Sequence, residues 1–255
     1  MNKFFVLVGI FIISIVSYGL SDNAVGTVID IKGIALIQHA QTSELKKLNL
    51  KDRVFPGDVI KTEEKSHVKI FLIDETIIII GPKAHFKLET FSFSPSNNKR
   101  EANVKLLVGK ARFNLQRKFS ESSKFNVSTP TAIAGVKGTN FLVWVISDEI
   151  TKFFVSEGEI SIRNISPLVI GEIILSAGFS SEVRQDQTPT LPQIPSPGEM
   201  QEFFEDVSRG EETKGVEFLL NNIPVNNIFR SVIEQRETKN IIRVLPYPPP
   251  PPSNH

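Results

Sequence analysis

From about Val25 to Val183 the apolar residues of this chain recur with period two, the pattern of strands that bury one face. Ala84, Phe86 and Leu88 alternate with His85, Lys87 and Glu89, and Ala111, Phe113 and Leu115 alternate with Lys110, Arg112 and Asn114. No helical stripe competes over this span. Ile77-Ile78-Ile79-Ile80 is apolar on both faces, as a strand buried between layers requires. Turn residues punctuate the pattern at short intervals: Lys32-Gly33, Pro56-Gly57-Asp58, Gly81-Pro82, Ser94 to Asn98, Gly109, Glu157-Gly158 and Ala177-Gly178. Many short strands at such spacing predict an all-β fold, either a sandwich, a roll or a solenoid. With no fixed-length repeat in view, a solenoid would have to be irregular.

The residue types present narrow the chemistry. Lys plus Arg total 29 against 28 Asp plus Glu, so the balance of charge gives no reason to expect nucleic acid. Cysteine is absent, which removes disulfides, a thiol nucleophile, cysteine-held metals and a lipid-bearing cysteine. The four histidines, His39, His67, His85 and His255, share no metal-ligand spacing, so neither a metal nor another cofactor is expected. Asp74-Glu75, Asp148-Glu149 and Glu157/Glu159 fall at expected turns and read as solvated residues rather than general acids or bases. No Gly-x-Ser-x-Gly elbow occurs, and no enzyme activity is expected.

The chain changes character at both ends. Lys3 followed by the apolar run Phe4 to Tyr18 and then small and polar residues predicts a signal peptide over 1–21, or an uncleaved anchor. Either places the remainder outside the cytoplasm. The β domain is expected over 25–185, then a proline-rich linker or strap over 186–198. Ser196-Pro197-Gly198-Glu199 offers a capping box ahead of Met200, Phe203, Phe204 and Val207 at helical spacing, ended by Gly210. This opens a helical accessory segment over 199–245 that docks on the β domain through Phe203 and Phe204. A polyproline tail over 246–255 closes the chain.

One stretch is specific. In Thr129-Pro130-Thr131-Ala132-Ile133-Ala134-Gly135-Val136-Lys137-Gly138-Thr139-Asn140-Phe141, Pro130 favours extended backbone, and Gly135 and Gly138 permit positive φ or close approach. Phe141, Val143 and Val145 then alternate along a strand. Gly135 to Thr139 superficially suggests a phosphate loop, but it lacks the required gap and runs into a strand where that loop needs a helix. Trp144 and Phe154 fall out of phase with the core stripe. They form a candidate partner surface if the C-terminal helices leave them uncovered.

The signature Thr129, Pro130, Gly135, Gly138, Thr139 and Phe141 resembles that of the FecR domain, a bacterial extracytoplasmic module. The likeness extends over roughly 25–185, through Gly26-Thr27-Val28, Phe55 to Thr62, Val68 to Thr76, Leu107 to Ala111, Val155 to Ile160 and Leu175 to Phe179. Glu75 departs from it, standing where glycine is common, so that turn must avoid positive φ or tolerate strain. The resemblance implies a non-enzymatic, signal-sensing or protein-binding module of the cell envelope, periplasmic or secreted, with an envelope protein or surface component as partner. The family's iron-transport regulators add a cytoplasmic anti-sigma segment, which Met1-Asn2-Lys3 is too short to supply. A scaffold protein whose proline-rich C-terminal segment makes the contact is the alternative.

Overall fold

The computed structural model of the chain describes residues 23–115 and 119–207. The expected signal segment, the C-terminal accessory segment beyond Val207, Gly210 and the proline tail lie outside these residues. Sixteen strands and one α-helix form among the described residues. The strands are β1 (Gly26–Lys32), β2 (Ala35–Gln38), β3 (Leu45–Lys47), β4 (Arg53–Val54), β5 (Val59–Thr62), β6 (His67–Leu72), β7 (Ile77–Ile80) and β8 (His85–Ser94). They continue with β9 (Lys99–Asn114), β10 (Lys124–Ser128), β11 (Ala132–Val136), β12 (Asn140–Ser147), β13 (Ile150–Glu157), β14 (Glu159–Asn164), β15 (Glu172–Ser176) and β16 (Ser180–Arg184).

Pairing arranges them in two layers. The first runs β4-β1-β6-β7-β9-β12-β13-β16 and the second β3-β2-β5-β8-β9-β10-β11-β14-β15, with β9 common to both. All pairs are antiparallel except β9 with β10. The inner faces of both layers merge in one core, in which Ile70, Ile78, Phe113, Phe141 and Phe153 of the first meet Phe86, Val104, Phe125, Ala134 and Ile162 of the second. The sheet is thus rolled over on itself, which fits an all-β sandwich or roll.

The fold turns on β9, sixteen residues long. Its first part pairs with β8 and β10 in the second layer, and from Gly109 onward it pairs with β12 and β7 in the first. Gly109, expected to mark a turn, instead bends a continuous strand at φ 90°. A Cβ there would lie 2.7 Å from the Cα of Ala84.

Asp74 corrects the reading of the acidic pairs. It is 1 % exposed, accepts hydrogen bonds from the Thr76 amide (3.0 Å) and hydroxyl (2.8 Å), and takes a third from Arg100 Nη1 at 2.9 Å. Arg100, itself 1 % exposed, lies with its guanidinium 4.0 Å from the Phe119 ring centroid and 4.8 Å from that of Phe125. The β6–β7 turn is thereby pinned to β9. Sequence gave no hint of this because the partner lies 26 positions away.

Glu75, next in that turn, has φ 71° and so accepts the left-handed backbone that glycine would adopt without cost. That conformation costs a side-chain residue about 1–2 kcal/mol, and glycine's extra freedom in the unfolded chain offsets part of the relief. Glu75→Gly is therefore expected to stabilise the fold by on the order of 0.5–1 kcal/mol, read from a rise in the denaturation midpoint.

The segment after β16 is a strap. Ser180 and Gln193 exchange backbone hydrogen bonds of 2.7 and 2.9 Å, and the Thr190 amide donates to the Glu182 carbonyl at 2.9 Å. The helix α1 (Pro197–Phe204) follows, with the Ser196 hydroxyl accepting from the Glu199 amide at 3.2 Å. The Glu199 carboxylate accepts from Lys152 Nζ at 2.9 Å.

Candidate functional site

The signature residues build a corner between the layers. After β11 in the second layer the chain turns through Gly138 (φ 64°) into β12 of the first, and after β13 it returns through the Glu157–Glu159 turn into β14. The two turns cross in contact, so that a Cβ on Gly158 would lie 3.1 Å from the Gly138 carbonyl oxygen and from Thr139 Oγ1. Thr139 locks the crossing by donating its hydroxyl to the Glu159 carbonyl at 2.8 Å. Upstream, three buried hydroxyls form a chain: Thr131 donates to Thr151 (2.8 Å), Thr151 to Thr129 (3.0 Å), and Thr129 to the Ala132 carbonyl (3.3 Å). Phe141 is fully buried and stacks on Phe113 with ring centroids 5.0 Å apart. Pro130 follows Thr129 in the half-buried approach to β11.

A side chain at Gly138 would have to hold left-handed backbone beside the crossing β13–β14 turn. Gly138→Val is expected to destabilise the protein by on the order of 1–3 kcal/mol, seen as a lowered thermal midpoint. An unchanged midpoint would remove this account of the corner.

Trp144 and Phe154 do lie together on the outer face of the first layer, with Leu142 and Ile79. α1 covers this part of the face. Phe203 of α1, fully buried, meets Trp144 and Phe154 with ring centroids 6.1 and 5.7 Å away, and Phe204 meets Phe154 at 5.7 Å. Lys110 lies 4.4 Å from the Trp144 ring centroid, donates to the Glu202 carbonyl near the helix C-terminus and reaches Asp206 Oδ2 at 3.5 Å. The Trp144/Phe154 pair is therefore the seat of the helix.

Among the described residues nothing covers the outer face of the second layer, and it brings together residues that sequence reasoning did not connect. Registers place Thr90, Asn103, Asn126, Gly135, Ser161 and Ile174 in one row across β8, β9, β10, β11, β14 and β15. Asn126 Nδ2 donates to Asn103 Oδ1 at 3.0 Å, and Asn103 Nδ2 donates to Thr90 Oγ1 at 2.8 Å. Both amides are consumed in one direction, which turns the Asn126 carbonyl oxygen toward Gly135, 4.0 Å from where a Cβ would stand. Ser161 Oγ comes closer still, 2.8 Å from that Cβ position, and a shallow notch of about 240 Å³ opens beside Gly135, bordered by Asn126, Ser128, Ile133, Ser161, Arg163 and Glu172.

An amide oxygen, hydroxyls, a guanidinium and a carboxylate thus border the notch beside one aliphatic side chain, a surface suited to hydrogen-bonded recognition. Toward β5 the same face turns basic, through Lys61, Lys87 and Lys105, and the imidazole of His85 is held below its ordinary pKa by burial and then by Lys61. The signal for this face was present in Asn103 and Asn126, each polar between two buried apolar neighbours, but their adjacency depends on the parallel β9–β10 pairing. No group of three His, Cys, Asp or Glu able to hold a metal exists among the described residues.

Residues 58–161, from just before β5 into β14, match the family model described as FecR protein. No curated protein matches the chain. An anti-sigma factor candidate from Parabacteroides distasonis ATCC 8503 aligns in two crystal structures, with TM-scores of 0.45 and 0.44 at 20% and 19% identity. In both, the alignment covers 56% of this chain and 62% of that one, so this chain spans under two thirds of their length. A cell surface anchoring domain aligns over 25% of this chain and 82% of its own, with a TM-score of 0.24 and 27% identity.

Proposed function

We propose, from the FecR match over residues 58–161, that the protein is a non-enzymatic, signal-sensing module of the bacterial cell envelope that binds another envelope component through the outer face of its second layer. The observation that carries this reading is the polar row across the outer face of the second layer, where the Gly135 notch and its ring of hydrogen-bonding groups are uncovered among the described residues. α1 packs Phe203 and Val207 on part of the first layer's outer face and leaves a cavity of about 500 Å³ beside Lys110, Trp144 and Asp206. A folded module with an uncovered hydrogen-bonding face has the form of a docking surface. The periplasmic or secreted location rests on the apolar run Phe4 to Tyr18 behind Lys3. The alternative, a scaffold acting through its proline-rich C-terminal segment, rests on residues outside the described ones.

The test is a photoreactive residue placed at Asn126 in the notch and, separately, at Gln201 on the exposed side of α1, in cells making the full chain. The expected result is a discrete adduct from Asn126 and none from Gln201. Equal labelling from both positions, or none from Asn126, would overturn the assignment of the face.

A further inference from the structure

The two layers leave four strand edges among the described residues, at β3, β4, β15 and β16, each paired on one side only within the ladders. Three are blunted by familiar devices. β3 is three exposed residues carrying Lys46 and Lys47, β4 is two residues long and followed by Pro56, and β16 is covered by the strap through Ser180 and Gln193. β15 has none of these. Its five residues Glu172-Ile173-Ile174-Leu175-Ser176 contain no lysine, no proline and no bulge, and Ile174 is 54% exposed.

The direction of its backbone groups follows from the hairpin's closed end. The Ala177 amide donates to the Gly158 carbonyl at 3.0 Å, in step with the Ser176–Glu159 register. Alternation along the strand then turns Ile173 and Leu175 toward β14, and presents the amide and carbonyl of Glu172 and Ile174 to the open edge. The preceding loop adds apolar surface, with Leu168 and Ile170 at 89% and 90% exposure.

We infer that β15 pairs with β15 of a second copy of this chain, antiparallel and centred on Ile174. The strand's sequence fits itself in that register. Ile174 meets Ile174, Glu172 meets Ser176 and Ile173 meets Leu175, so no like charges oppose one another and the aliphatic residues pair. Continuing the register brings Ile170 alongside the second copy's Ala177–Gly178 turn, where no atom lies within 4 Å of the position a Gly178 Cβ would occupy. The union also joins the two outer faces, so the row through Asn126, Gly135, Ser161 and Ile174 continues across the two-fold axis into its own copy.

The test is sedimentation of the native chain over concentrations up to about 1 mM, with Ile174→Lys and Ile174→Pro beside it. Ile174→Lys sets like charges against each other across the axis. Ile174→Pro removes an amide that faces the open edge while leaving the β14 ladder intact. The expected result is a monomer–dimer equilibrium in the native chain and a dissociation constant raised at least about tenfold in both variants, with unchanged far-ultraviolet circular dichroism. A native chain that stays monomeric throughout, or a dimer that Ile174→Lys leaves unaltered, overturns the proposal. Unfolding of Ile174→Pro also overturns it, because that amide would then belong to the β14 ladder.

Discussion

Gly109→Val is expected to destabilise the protein by about 3–5 kcal/mol, lowering its thermal midpoint by roughly 6–20 °C. Two costs coincide at this position. The backbone at φ 90° disfavours any side chain, and a Cβ would stand 2.7 Å from the Cα of Ala84, a backbone atom that cannot rotate away. Ala84 is held on both sides, its amide donating to the Thr62 hydroxyl at 2.9 Å and its carbonyl accepting from the Thr62 amide at 3.0 Å. Relief would require the β5–β8 region to move as a unit, away from the strand that joins the layers. Equilibrium denaturation measures the loss, and a change below about 1 kcal/mol would show that β9 does not need this bend.

Asp74→Ala should cost about as much, about 3–5 kcal/mol, for an electrostatic reason. The substitution leaves the Arg100 guanidinium, 1 % exposed, to the neutral Thr76 Oγ1 at 3.2 Å. Burial already pushes that guanidinium below its usual range, and the hydrogen bond and charge of Asp74 act against the shift. Removing Asp74 leaves the desolvation without its compensation. The double variant Asp74→Ala, Arg100→Met is expected to recover most of the loss, since an apolar side chain between Phe119 and Phe125 needs no partner. A double variant as unstable as Asp74→Ala would mean that the pair contributes more than mutual neutralisation.

The parts of the fold that were legible in the sequence are those set by local pattern. Alternation located the core faces of β8, β9 and β12, the four consecutive isoleucines marked β7, and the spacing of Met200, Phe203, Phe204 and Val207 marked the docked face of α1. Where long-range pairing decides the outcome, local pattern misled. Gly109 has the look of a turn residue because turns and strand bends both ask for positive φ. Asp74 has the look of a solvated turn residue because nothing near it in sequence announces Arg100. The Gly135 notch needed three strand registers to assemble, and a single sequence carries no record of registers.

The rolled sheet also fixes how the module would carry load. The first described strand, β1, and the last described element, α1, both belong to the first layer: β1 lies between β4 and β6, and α1 is seated on Ile79, Leu142 and Phe154. Tension applied at residues 23 and 207 therefore enters and leaves through that layer. It would shear β1 against its neighbours and peel the helix from its seat, while β10, β11, β14 and β15 stand outside the force path. A module strung this way would take tension first in its first layer, and the second would feel it only through the shared strand β9 and the turns that join the layers.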